Sequence, residues 1–256
     1  MVGHLHVFHT KLMKVTIVAE IASNWEGSIT KAKKLIKECK KAGADAIKFQ
    51  VWRATDLYDK NHPNWLEIKK SELTFKNIKL LKCFADKNNI DFFCSLFYPE
   101  AVEFLNSLNV KMFKVASRTC TFRDQYSYET LQKEAQTGKP IIISMGMGGN
   151  KNKIKKIFSQ NKTIFCYCIS KYPTKLNEIH WDQARKFDGF SDHTLGIVAP
   201  IIFTMIKKQE GGKNIIIEKH VKLKNSKGPD ASSSINTSEL TQMISAIRKI
   251  EKLKLR

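Results

Sequence analysis

KVTIVAEIASNWEGSITKAKKLIKECKKAGADAIKFQ, residues 14–50, reads as strand, helix, strand. KVTIVAE (14–20) is a short β-branched apolar run. ITKAKKLIKECKKAG (29–43) puts Ala32, Leu35, Ile36 and Cys39 at helical spacing, and DAIKFQ (45–50) is apolar again. Strands that alternate with helices pair in parallel, because the helix carries the chain back to the same end of the sheet.

The same unit recurs along the chain. Apolar runs at 91–95, 112–117, 140–144, 163–168, 187–191 and 214–220 each precede a helix-like segment, at 99–108, 127–138, 151–160, 177–186, 199–209 and 237–253. The run at 45–50 reaches its helix (76–89) only after a long polar loop. Eight such pairs in about 250 residues predict a closed (β/α)8 TIM barrel, one α/β domain spanning residues 14–256 behind an N-terminal extension, residues 1–13. An open doubly wound sheet is the alternative, but no Gly-rich dinucleotide or phosphate loop follows the first strand.

Composition narrows the class. Hydrophobic residues make up 42 % of the chain, which suits a globular core, and no run approaches the ~20 apolar residues of a membrane span. The N-terminus lacks the apolar core and small-residue cleavage site of an export signal, and the six cysteines are scattered through the elements, so the reading is a cytoplasmic protein with reduced thiols. The formal charge is +20, yet only six of 44 basic residues are arginine. Lysines riding on helix faces read as solvated surface, with attraction of acidic small molecules next. A nucleic-acid binder would favour arginine for bidentate and stacked contacts, so neither nucleic acid nor membrane is an expected partner.

The predicted strand ends carry the chemistry. In order they bear Glu20; Lys48 and Gln50; Ser95; Lys114 and Ser117; Ser144; Ser170 and Tyr172; Ser191, Asp192 and His193; Glu218 and His220. In a barrel these converge on one face, where such enzymes place their active sites. Lys48 and Lys114 interrupt apolar strands, so each faces a fixed or bound anion, or pairs with a carboxylate such as Glu20 or Glu218. With the four serine hydroxyls of Ser95, Ser117, Ser144 and Ser191 they make a donor-rich cup for phosphate or carboxylate groups. His193 and His220 end neighbouring strands, each beside an acid, Asp192 and Glu218, and their rings are within reach of one Mn, Zn or Fe(II) ion that keeps positions open for a substrate oxygen. Cys166 and Cys168 face the same side of a strand and read as barrel packing. His4, His6 and His9 fall in the extension, and His62 and His180 have no neighbour that marks them.

Eight stretches together resemble the N-acetylneuraminate (sialic acid) synthases and their nonulosonate-synthase relatives: IVAEIASNWEGS, AGADAIKFQ, FKVAS, TGKPIIISMGM, KYPT, GFSDHTLGI, IEKHVKL and GPDASSS, in the family's order. The resemblance covers residues 15 to about 250. It implies condensation of phosphoenolpyruvate with an open-chain amino sugar aldehyde, N-acetylmannosamine or a diacetamido trideoxyhexose, to a nine-carbon 2-keto acid and phosphate. By motif position Lys48, Ser95, Lys114, Ser117, Ser144 and Ser191 would hold phosphoenolpyruvate, and His193 and His220 would bind Mn2+. Gln50, Tyr172, Glu218 and Asp230 would line the sugar side, and Glu20, Lys48, Lys114 and Tyr172 would be the catalytic set, with Glu20 orienting water or moving a proton. A homodimer is also implied.

The sequence departs from that pattern in places. Trp25 stands where the family has histidine, Arg118 and Thr119 replace a Gly and an acid after FKVAS, STPF becomes Cys94-Ser95-Leu96-Phe97, and STGM becomes Ser144-Met145-Gly146-Met147. These changes bear on the acceptor sugar more than on the reaction. The family's small C-terminal antifreeze-like domain, which supplies an arginine to the sugar, has no counterpart before the end at KIEKLKLR. The expectation is a separate antifreeze-like lid protein, use of Arg118 or Arg53 instead, or a weakened catalyst. The rival readings are a non-catalytic anion-binding barrel needing such a lid, a basic nucleic-acid binder, and a metal-dependent sugar isomerase, which leaves the lysine cup unexplained.

Overall fold

A computed structural model describes residues 13–254. Residues 1–12 of the extension, with His4, His6 and His9, lie outside the described residues, and Met13 is buried in the core. The elements run β1 (Lys14–Glu20), α1 (Ile29–Ala42), β2 (Ala46–Val51), α2 (Ala54–Leu57), α3 (Trp65–Lys70), α4 (Phe75–Lys87), β3 (Asp91–Leu96), α5 (Pro99–Ser107) and β4 (Phe113–Val115). They continue with α6 (Ser127–Gln136), β5 (Ile141–Ser144), α7 (Lys151–Ile157), β6 (Thr163–Cys168), α8 (Trp181–Ala184), β7 (Gly189–Asp192), α9 (Val198–Gln209), β8 (Asn214–Lys222), β9 (Ile235–Asn236) and α10 (Thr237–Lys252).

Strands β1 to β8 pair in sequence order, all parallel, and β8 returns to β1 with His220 opposite Glu20, so the sheet closes into the expected (β/α)8 barrel. Two details depart from the sequence reading. The long loop after β2 contains the short helices α2 and α3, and the sixth crossover reduces to a four-residue helix, α8, behind a 3-10 turn at Leu176–Glu178. The first segment repeats apolar residues over too few turns to register as a pattern, and the second keeps only part of the helix expected over 177–186.

Local chemistry sets the boundaries. Ser28 accepts the Lys31 N–H at 3.3 Å to start α1, and Gly43, at φ 96°, ends it in the left-handed conformation that a side chain would disfavour. Between these caps Ala32, Leu35, Ile36 and Cys39 are buried against the sheet, as their spacing requires.

Because side chains alternate along a strand, each strand sends one set inward and the other to the helices. Val18, Ala46, Phe93, Ile142, Cys166 and Ile216 pack together as a plug across the barrel interior. Cys166 therefore has the packing role its strand position implied, and Gly189 opposite it has no room for a Cβ, which would run into the Cys166 sulfur. Two residues further along these strands the inward set turns polar, with Glu20, Lys48, Ser95, Lys114, Ser144, Cys168, Ser191 and Glu218. That change of layer positions the site.

Candidate active site

A cavity of 320 Å³ opens at the C-terminal end of the barrel. It is lined by residues from every strand end except the first, among them Lys48, Gln50, Ser95, Lys114, Ser117, Ser144, Tyr172, Ser191, His193, Glu218, His220 and Asp230. Glu20 lies just beneath, fully buried, and donor Gln50 Nε2 reaches it at 2.9 Å. Apart from Asp192, the strand-end residues singled out from the sequence thus come together in one place.

The two lysines meet carboxylates already present in the fold. Lys48 Nζ lies 2.7 Å from Glu20 and 3.3 Å from Glu218, while Lys114 Nζ lies 3.3 Å from Glu218. Each ammonium also donates to a serine hydroxyl, Lys48 to Ser95 at 3.0 Å and Lys114 to Ser144 at 2.9 Å. Glu218, which lines the cavity, bridges both lysines and accepts from the Ser191 hydroxyl at 2.7 Å. Of the two sequence alternatives for the lysines, pairing with Glu20 and Glu218 is the one observed.

The charges in this cluster are unequal. Burial disfavours a charge on Glu218, but Lys114 and Lys48 outweigh it and hold the carboxyl well below its ordinary range. Burial pushes Glu20 up to about 7, with the Glu218 charge adding to it and Lys48 opposing it. Lys48 stays charged: burial opposes the ammonium, and Glu20 and Glu218 more than compensate. Two ammonium groups therefore face one firm carboxylate and one that changes charge near neutrality, which leaves the floor ready for an anion.

His193 and His220 stand side by side above this floor, ring centroids 5.2 Å apart, with Tyr172 4.2 Å from His193 and 6.0 Å from His220. His193 Nδ1 lies 2.7 Å from the Ile169 carbonyl oxygen. A carbonyl only accepts, so Nδ1 carries the hydrogen and Nε2 is the lone-pair atom of the neutral ring. Burial holds His220 well below its ordinary value, with the neighbouring His193 and Lys48 acting in the same direction. Its buried Nδ1 has no hydrogen-bond partner among the described residues. Burial opposes a charge on His193 too, but contacts with Cys168 and the Ile169 carbonyl leave its pKa raised.

Two imidazoles with available nitrogens fit a divalent ion. Among the described residues no group of three or more His, Cys, Asp and Glu is placed to hold one, so the fit is to an ion completing its shell with substrate and water, not to a closed structural centre. Asp192, read as an acid beside that pair, points away from the cavity and bonds Lys219 at 2.6 Å on the outer face of the sheet. The strand alternation that turns Ser191 and His193 inward turns Asp192 outward.

The upper walls hold residues the sequence reading left out or left open. Trp52, Leu57, Tyr58 and Phe97 pack together as an apolar shelf, Met147 follows β5, and Cys168 and Ser170 line the β6 side. Cys168 Sγ lies 3.6 Å from Ser117 Oγ and 3.8 Å from His193 Nδ1. Burial raises its pKa, but His193 and Lys114 outweigh that and leave it lowered. Its alternation with Cys166 announced an inward residue; that it lies beyond the plug was not readable. Of the two arginine candidates, Arg53 is engaged with Glu100 at 3.2 Å and with the Tyr98 ring at 4.0 Å, and it does not line the cavity. Arg118 does, held by Asp124 at 2.7 and 2.8 Å and by the Leu57 carbonyl at 2.8 Å. Trp25 is buried in the core rather than at the cavity. Asp230 is fixed at the rim by the Ser23 N–H at 2.9 Å and by the Ser23 hydroxyl.

No helix of the described residues is long and apolar enough to cross a membrane. Residues 35–255 match the NeuB family. An uncharacterized protein of Methanocaldococcus jannaschii is 36 % identical over 250 residues, 93 % of this chain and 71 % of that one. The N,N'-diacetyllegionaminic acid synthase of Campylobacter jejuni is 33 % identical, covering 94 % of this chain and 78 % of its own. The crystal structure of N-acetylneuraminic acid (sialic acid) synthetase from Leptospira borgpetersenii, in complex with citrate, superposes with a TM-score of 0.82 at 27 % identity over 94 % of this chain and 87 % of that one. A barrel whose eight strand ends build this lysine, serine and histidine site, with these relatives, belongs to the NeuB family of sialic-acid-type synthases.

Proposed function

We propose that the chain is a nonulosonate synthase, condensing phosphoenolpyruvate with the open-chain aldehyde of an N-acetylated amino sugar to give a nine-carbon 2-keto acid and inorganic phosphate. The observation that carries this reading is the pair of buried lysines with their serine hydroxyls directly below two adjacent histidines. A cationic floor suits a small compound bearing both phosphate and carboxylate, and named relatives make N,N'-diacetyllegionaminic, pseudaminic and N-acetylneuraminic acids or the 9-phosphate of the last.

In this mechanism Lys48, Lys114 and the hydroxyls of Ser95, Ser117, Ser144 and Ser191 bind and orient the phosphate and carboxylate, so that the enol C3 faces the aldehyde carbon. When held by His193 and His220, a divalent ion such as Mn2+ supplies Lewis acidity toward the aldehyde oxygen. C3 attacks the aldehyde carbon, and the aldehyde oxygen takes up a proton to become a hydroxyl. Water adds at C2 and gives up a proton. The C2 hydroxyl becomes the keto oxygen as the C–O bond to phosphate breaks, and phosphate leaves with the hydroxyl proton. Glu20, with a pKa of about 7, is suited to take the proton from that water, and Gln50 holds its carboxyl in place. Tyr172 packs across both histidine rings and restricts water on that side.

In a closed sheet ordered β1 to β8, β4 lies across the barrel from β8. An acceptor whose aldehyde is held near His220 therefore extends toward Arg118, which follows β4, with Asp230 and the Trp52–Tyr58 shelf along its flanks.

The test is phosphate release from phosphoenolpyruvate with Mn2+, each candidate amino sugar supplied separately, and His193→Ala as control. Release that requires one sugar and disappears in the variant supports the synthase and names its acceptor. Phosphoenolpyruvate binding without release from any sugar favours an anion-binding barrel that needs a separate lid protein. Absence of binding overturns the proposal.

A further inference from the structure

The outward face of β7 and β8 carries an ion pair in a layer that is otherwise apolar. Phe190, Ile215, Ile217 and Val221 point toward the helices and are buried there. Between them Asp192 and Lys219, with side chains 1 % and 0 % exposed, meet at 2.6 Å. Thr194 completes the arrangement: its backbone N–H donates to Asp192 Oδ1 at 2.9 Å, its hydroxyl donates to Oδ2 at 3.0 Å, and its carbonyl accepts from Lys219 Nζ. The Thr174 N–H, from the loop after β6, donates to the His193 carbonyl at 3.0 Å.

A buried ion pair is a poor device for stability alone, since apolar residues of similar volume do as well or better. What it does supply is register. Asp192 is the sheet partner of Lys219, one step beyond Ser191 opposite Glu218 and one step before His193 and His220. A slip of β7 along β8 by two residues keeps every side chain on its proper face, so apolar packing discriminates weakly against it. That slip sets Asp192 opposite Ile217 or Val221, leaves two buried charges unpaired, and displaces His193 from His220 by about 6.6 Å.

We propose that Asp192, Lys219 and Thr194 are positioning residues: they lock β7 against β8 from outside the barrel so that His193 and His220 present their nitrogens to a common point. The role rests on the reading of the two histidines as a shared ligand pair.

The test is the double substitution Asp192→Asn/Lys219→Met in the full chain, which removes both charges and leaves neither unpaired. The expected result is cooperative unfolding at an unchanged or higher melting temperature, with Mn2+ affinity by electron paramagnetic resonance lowered ten-fold or more. A crystal structure of the variant is expected to show the rings further apart than 5.2 Å. Wild-type Mn2+ affinity with unmoved rings overturns the proposal, whatever the melting temperature. If the wild type itself binds no Mn2+, the metal-dependent reading fails separately, and ring separation alone decides the positioning role. Should the double variant not fold, Thr194→Val, which keeps the ion pair, is expected to lower Mn2+ affinity by a smaller factor of two or more, and an unchanged affinity counts against the proposal.

Discussion

The Lys48 ammonium, at the floor of the cavity, lies 2.7 Å from the fully buried Glu20 carboxyl. A salt bridge in that position normally keeps a carboxyl ionised. Here burial dominates and pushes Glu20 up to about 7, with the Glu218 charge adding to the rise and Lys48 only partly opposing it.

This has a consequence for stability against pH. A carboxyl raised in the folded state binds its proton more tightly folded than unfolded, so its contribution is fully present below about pH 4.5 and is lost as pH rises to about 7. Wild type is expected to lose on the order of 3 kcal/mol relative to Glu20→Gln between pH 4.5 and 7.5. Denaturant unfolding of both proteins at matched pH values measures it, and parallel curves would show that Glu20 titrates normally.

Arg118 is expected to act on the acceptor alone. Arg118→Ala should raise the KM for the amino sugar about 10- to 100-fold, the scale of a charged hydrogen bond, and leave the KM for phosphoenolpyruvate unchanged. Arg118→Lys should recover little, because an ammonium cannot span Asp124 and the Leu57 carbonyl as the guanidinium does. Equal rises in both KM values would place Arg118 outside acceptor recognition.

The cysteines should separate by reactivity. Cys83 is exposed and Cys168 lines the cavity, whereas Cys39, Cys94, Cys120 and Cys166 are buried. Brief treatment with iodoacetamide, read by mass spectrometry, should label Cys83 and Cys168 and spare the other four. Phosphoenolpyruvate is expected to protect Cys168 and not Cys83. Protection of both, or of neither, would disconnect Cys168 from the anion floor.

Gly189→Ala tests the packing beneath the site. The added methyl meets the Cys166 sulfur, so the variant should lose about 1–3 kcal/mol and melt several degrees lower. Adding Cys166→Ala to it should recover part of the loss. No recovery would mean that the strain lies elsewhere.

The barrel was legible because its signal is local and repeated. β-branched runs such as KVTIVAE and helical spacings such as Ala32, Leu35, Ile36 and Cys39 depend on near neighbours, and eight repetitions leave few architectures. Polar residues at the strand ends were legible for the same reason: Lys48 and Lys114 interrupt apolar runs, and closure brings such interruptions to one rim. α2 and α3 escaped because four and six residues make less than two turns, too short to show a period, and the helix read over 177–186 keeps only the four residues of α8.

Partnerships across the barrel were another matter. Nothing along the chain distinguishes Glu218 as the bridge between Lys48 and Lys114 from Glu218 as a sugar ligand, since those residues are 170 and 104 positions away. Nor does SDHT announce that Asp192 leaves the site to meet Lys219 while its neighbours enter it. Residue types and their order settle which groups exist and which end of the barrel they reach. Closure of the sheet settles which charges share a lysine, how far burial moves Glu20, and which arginine faces the cavity, because distance and solvent exclusion belong to the folded arrangement and to no single segment.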